Sequence, residues 1–116
     1  MSFPDVLRTL VEAPGARGAA FFDPHGQPVA VTGEREALET IGAYQSVWLG
    51  ELGRAAERAG LGELGDLTME FRGARVLAAE VKDGYFLLVV VDRWGVLAPA
   101  RARLDEARAA LAAEIE

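Results

Sequence analysis

Cysteine is absent from this 116-residue chain, and lysine and histidine occur once each, as Lys82 and His25. Without thiols there can be no disulfide, no thiolate metal site and no cysteine nucleophile. His25 has no second imidazole to share a metal with, and it sits in a turn sequence beside Asp23, where a turn residue is the expected role. Serine is nearly as scarce: Ser2 suits a helix cap, and Ser46 falls among small residues. Basic residues are few, 12 Lys and Arg against 18 Asp and Glu, for a net charge of −6. A nucleic-acid surface needs clustered cations to displace phosphate counterions, so this class is excluded, as is a basic membrane-binding patch. The opening MSFPDVLRTL lacks a basic start followed by an apolar signal run. No stretch approaches the roughly eighteen apolar residues of a membrane span. The expectation is a cytoplasmic acidic protein with no membrane insertion.

Catalytic motifs are missing as well. No GxxxxGK[ST] loop is present, so the chain does not carry the phosphate cradle of a small GTPase. Gly60, Gly62 and Gly65 follow a helical segment and precede no helix, which makes them a linker and not a dinucleotide fingerprint. Asp66, Glu70, Glu80 and Asp83 are scattered, without the spacing of a carboxylate pair. No catalytic residue, cofactor or metal is expected, and the chain should not be an enzyme.

What the chain does have is a strongly patterned stretch from Asp66 to Asp92. It ends in Tyr85-Phe86-Leu87-Leu88-Val89-Val90-Val91, an unbroken apolar run that suits a strand covered on both faces. Before it, Leu67, Met69 and Phe71 alternate with Thr68, Glu70 and Arg72. Gly73 marks one tight connection, and Asp83-Gly84 is a two-residue hairpin signal. Three antiparallel strands follow, near 66–72, 75–82 and 85–91, the last one central.

The rest of the chain must cover that central strand. Ser2, Pro4 and Asp5 open a helix whose apolar face is Phe3, Val6, Leu7, Leu10 and Val11, and Pro14-Gly15 ends it. Arg17 to Asp23 and Gln27 to Thr32 form a hairpin through the type I turn Asp23-Pro24-His25-Gly26. Glu34 to Ala59 is one long helix with three arcs at 100° per residue. Leu38, Ile41, Tyr44, Trp48, Leu49, Leu52 and Ala55 make the apolar arc expected to lie on the sheet. Gly42, Ala43, Ser46, Gly50 and Gly53 make a small-residue arc. Interior glycines each cost a helix about 1 kcal/mol, which close approach of another backbone would justify. Glu36, Thr40, Val47, Glu51, Arg54 and Arg58 make the charged arc. A last helix carries Leu97, Ala100, Leu104, Ala107, Leu111 and Ile115, with Pro99 tolerable only in its first turn, and Glu114 and Glu116 should fray its end. One domain over residues 1–116 results, in the order α-β-β-α-β-β-β-α. It is an α/β layered (α+β) fold, a five-stranded antiparallel sheet between the long helix and the two terminal helices.

The run from Pro14 to Ala30, PGARGAAFFDPHGQPVA, resembles the opening hairpin of the Roadblock (dynein light chain) domain, and Asp83-Gly84-Tyr85 resembles its late hairpin. The resemblance extends from about Pro4 to Leu111 in element order, within a layered plan shared with longin and profilin-like folds. It implies a non-enzymatic dimer. Bacterial members of this type are paired with Ras-like small GTPases, some as GTPase-activating partners, whereas others are structural adaptors.

Both readings start from a homodimer. The small arc (Gly42, Ala43, Ser46, Gly50, Gly53) and the edge strand (Asp66, Thr68, Met69, Glu70, Phe71, Arg72) are the candidate dimer interface. A two-fold centred on Met69 sets Asp66 against Arg72 of the second copy, and one centred on Phe71 sets Glu70 against Arg72. The charged arc is the candidate partner-binding surface, where a Ras-like GTPase or another protein would sit. A small-ligand sensor is a third reading, which requires a pocket lined by Trp48 or Trp94.

Overall fold

The computed structural model describes residues 2–115. The elements are α1 (Phe3–Val11), β1 (Ala16–Phe22), β2 (Pro28–Gly33), α2 (Arg35–Arg58), β3 (Asp66–Glu70), β4 (Ala74–Lys82), β5 (Tyr85–Asp92) and α3 (Ala98–Glu114). The strands form one antiparallel sheet in the order β2-β1-β5-β4-β3. The uninterrupted apolar run is therefore the middle strand, as its lack of alternation demands.

Side chains alternate off β5 into two separate cores. Leu87, Val89 and Val91 join Phe21 and Leu77 beneath α1 and α3, while Phe86, Leu88 and Val90 join Phe22 and Val76 beneath α2. All six β5 residues are buried. Burial of a Leu, Val or Phe side chain is worth about 1.5–3 kcal/mol, so this strand carries much of the stabilisation.

Local signals explain the element boundaries. The Ser2 hydroxyl oxygen accepts from the Asp5 N–H, capping α1. Asp23 Oδ1 accepts from the N–H groups of His25 and Gln27, closing the first hairpin turn. Asp83 and Gly84 both lie at positive φ (51° and 85°), the backbone a type I′ hairpin requires. Pro99 falls in the first turn of α3, where its missing N–H has no helical partner to lose. At the far end of that helix Lys82 Nζ donates to the Ile115 carbonyl at 3.2 Å, holding the last turn against fraying. Glu116 lies outside the described residues.

Two expectations need correction. The edge strand stops at Glu70 and not at residue 72, because Phe71 N–H already bonds the Ala74 carbonyl and the chain turns through 71–73. The face of α2 that meets the sheet is Leu38, Gly42, Gln45 and Leu49, not the whole apolar arc. Tyr44, Trp48 and Leu52 on that arc are exposed, as is Ala55. The helix has rotated toward its small arc because Gly42 lets it settle onto the Phe22 ring, closer than a Tyr44 or Trp48 side chain would permit.

Candidate protein interface

Among the described residues, strand β3 pairs with β4 alone and offers its other edge to solvent. Leu67 and Met69 pack toward the α2 layer. On the opposite side, Arg101 of α3 clamps the strand: Nη1 lies 3.2 and 3.1 Å from the two Asp66 carboxylate oxygens, and Nη2 donates to Thr68 Oγ1 at 2.7 Å. Arg93 Nη1 stands 3.9 Å from a Glu70 oxygen. The backbone edge is thus open, yet the strand itself is held in place. The other sheet edge, β2, is blunter, since it begins with Pro28, which has no N–H to offer, and ends at Gly33 with φ +97°.

Beside the β3 edge, the outer surface of α2 carries an apolar stripe. Tyr44 is 62% and Trp48 50% exposed, with ring centroids 6.4 Å apart, and Val47 and Leu52 are exposed next to them. An open groove of about 670 Å³ runs between this stripe and β3, lined by Trp48, Glu51, Leu52, Arg54, Ala55, Arg58 and Leu67. Contiguous exposed aromatic surface on a helix beside an unpaired strand is the signature of a protein contact.

The residues singled out for dimerisation are divided by the structure. Gly42 is buried: a Cβ there would lie 2.2 Å from Phe22 Cζ, so it faces its own sheet and is withdrawn from any interface. Ser46 is half-buried against the first hairpin, where a Cβ on Gly26 would come within 3.0 Å of its hydroxyl. The close backbone approach that explains these small residues occurs within one chain. Ala43 is exposed, and Gly50 and Gly53 border a cleft of about 280 Å³ shared with Arg54, Glu57, Glu63, Leu64 and Glu80. Asp66, Thr68, Met69 and Glu70 lie on the edge strand, with Phe71 and Arg72 in the turn after it. A two-fold centred on Phe71 would need a strand continuing past residue 71, so this register is ruled out by the turn. In the Met69-centred register Asp66 is already engaged by Arg101 of its own chain.

Glu36, Thr40, Val47, Glu51, Arg54 and Arg58 are all exposed along α2. The Thr40 hydroxyl turns back to the Glu36 carbonyl at 2.9 Å. Arg54 lies along Gly50, where a Cβ would stand 3.4 Å from its Nη1, and so lines the cleft on the sheet side. Elsewhere, Arg17 Nη2 meets Glu34 at 2.8 Å, and that hydrogen bond first, with the Glu34 charge second, raises the guanidinium above its usual pKa.

The sequence pattern did not single out Tyr44, Trp48 and Leu52 as a surface. Their spacing fits a core arc equally well, and only the position of Gly42 on Phe22 decides between the two. Among the described residues no cluster of three or more His, Asp or Glu side chains could hold a metal ion. Among them, too, no helix is long and apolar enough to cross a membrane.

A Roadblock/LC7 domain family model matches residues 3–92. Among solved structures, a Roadblock/LC7 domain from Streptomyces avermitilis superposes with a TM-score of 0.86 at 16% identity, covering 96% of this chain and 95% of that one. Myxococcus xanthus MglB gives a TM-score of 0.86 at 18% identity, covering 97% and 93%. The gliding protein MglB of Thermus thermophilus gives 0.82 at 20%, covering 96% and 86%. No curated protein matches the chain.

Proposed function

Because this chain belongs to the Roadblock/LC7 family, we propose that it is a homodimeric platform that binds and regulates a Ras-like small GTPase in the cytoplasm, without catalysis of its own. The observation that carries this reading is the exposed stripe Tyr44–Val47–Trp48–Leu52 lying beside the open β3 edge. Two copies joined by antiparallel pairing of β3 would set their α2 helices side by side on one face of a continuous sheet. Glu36, Glu51 and Arg58 of both copies would then rim one composite surface, to which a partner straddling the two-fold binds only when the dimer forms. The likeness to MglB adds support, given the GTPase partnership that the bacterial Roadblock resemblance implies.

Regulation would proceed by arranging the switch loops of the GTPase. Arg54 is exposed, and its guanidinium lying along its own helix at Gly50 favours this over an inserted arginine. A pure adaptor would use the same surface without changing hydrolysis. The test is to measure GTP turnover by the protein alone, by a Ras-like GTPase alone, and by the mixture, with light scattering for stoichiometry. The expected result is a dimer with no turnover of its own that binds one GTPase per two subunits and alters its rate. A monomer at micromolar concentration, or unaided GTP cleavage, would refute the proposal; binding without a rate change would favour the adaptor.

A further inference from the structure

The open edge of β3 alternates in the direction of its backbone groups. Phe71 N–H bonds the Ala74 carbonyl at 2.8 Å, one step beyond the Glu70–Arg75 pair of the β3–β4 register. Hydrogen-bonded pairs alternate along an antiparallel ladder, so Met69 and Leu67 also turn their backbone groups toward β4. Asp66, Thr68 and Glu70 turn theirs outward. The side chains of the same three residues share one face of the strand, the face that Arg101 reaches from α3. Arg101 is 41% exposed there, and Asp66 and Thr68 leave further N–H donors of its guanidinium unused. At the other end of the strand, the Glu70 side chain is 61% exposed. Among the described residues its one ion partner is Arg93, at 3.9 Å.

We propose that Arg101 is a joint residue of the homodimer, donating across the two-fold to Glu70 of the second copy. This rests on the β3-paired dimer above and fixes its register inside the strand. The strand, Asp66–Glu70, has Thr68 at its centre. A two-fold there sets Thr68 opposite itself and Asp66 opposite Glu70 of the second copy, and every outward backbone group of the strand gains a partner. Moving the axis to Met69 points Asp66 at the 71–73 turn, which bends back to β4. Moving it to Leu67 points Glu70 at Leu64 in the linker, which lines the chain's own cleft. Both shifts leave edge groups unpaired. Directly opposite residues share a face, so Glu70 of the second copy comes up beside the Asp66–Arg101 pair. Without Arg101 the joint would set carboxylate against carboxylate at both ends. With it, one guanidinium serves both acids. The residue that clamps the edge strand is then also the contact across it.

Because the chain has no cysteine, single substitutions read the register as disulfides. Thr68→Cys should form a covalent dimer under mild oxidation. Met69→Cys and Leu67→Cys should not, since each would then lie on the diagonal, about 7–8 Å from its own copy. The charge test places Glu70→Gln in two backgrounds. In the natural sequence it should raise the dimer Kd about two- to thirtyfold at low salt, the scale of two exposed ion pairs. In Arg101→Gln it should instead lower the Kd about twofold or more, because Asp66 and Glu70 then face each other without a cation between copies. If Arg101 only braces its own β3, Glu70→Gln has the same effect in both backgrounds, and that result overturns the proposal. Cross-linking by Met69→Cys or Leu67→Cys overturns it too and leaves the β3 dimer standing. Cross-linking by none of the three overturns both.

Discussion

The Phe22 ring occupies the place where a side chain on Gly42 would go, with Cζ only 2.2 Å from an ideal Cβ. Phe22 is fully buried and stacked on Phe86, centroids 5.0 Å apart, so the ring has no free direction in which to retreat. Gly42→Ala is therefore expected to destabilise the chain by about 1–3 kcal/mol through overpacking, in spite of the roughly 1 kcal/mol that alanine adds to a helix. Urea unfolding measures it, and an unchanged or raised midpoint would show that α2 does not sit this closely on β1.

Gly53, on the same face three turns later, is the counterpart. Nothing lies within 4 Å of its built Cβ, so Gly53→Ala should stabilise by up to about 1 kcal/mol from helix propensity alone. Dimerisation should be unaffected, because the joint is assigned to the outer stripe and the β3 edge. A weakened dimer by analytical ultracentrifugation would return the glycine face to the interface.

Gln45 is fully buried, donates Nε2 to Met69 Sδ at 3.1 Å, and has no partner for Oε1 among the described residues. A buried acceptor without a bond costs about 1–3 kcal/mol. Gln45→Met keeps the length and removes the amide, and it should raise stability by about 1 kcal/mol. A clear loss in thermal or urea melts would mean that the carbonyl is satisfied, as by an enclosed water.

Trp48 is half exposed within one chain, so truncating it should spare the fold and damage only assembly. Trp48→Ala is expected to raise the dimer Kd about thirtyfold, the scale of an interfacial hot spot, with circular dichroism unchanged. An unaltered Kd would remove the α2 stripe from the joint.

Arg101→Leu should loosen β3 without unfolding the sheet. The pair with Asp66 is partly solvent-exposed, so the ion pair and the bond to Thr68 together account for about 1 kcal/mol. Hydrogen exchange should quicken across 66–70 and not across β5, where both faces are covered. Equal quickening in both strands would mean that α3 supports the whole sheet and not its edge.

The sequence by itself determined the element order, the central strand and the turns. These depend on short-range signals: an unbroken apolar run, the Asp83-Gly84 pair, the Asp23 side chain bonding two residues on and four, and a proline tolerated only in a first turn. What it left open was how α2 is rotated about its own axis. Tyr44, Trp48 and Leu52 satisfy a helical period as well as Gly42, Gln45 and Leu49 do, and hydrophobicity alone favours the aromatics as core. The tertiary structure decided otherwise, because contact distance outweighs side-chain apolarity here: the missing Cβ of Gly42 lets Phe22 bring the helix down on that side. Turning α2 this way places the aromatics outside, next to β3. Likewise, nothing in the spacing between Asp66 and Arg101 announces their pairing, which exists only because the folded chain packs α3 on the sheet close enough for the Arg101 side chain to reach the edge strand.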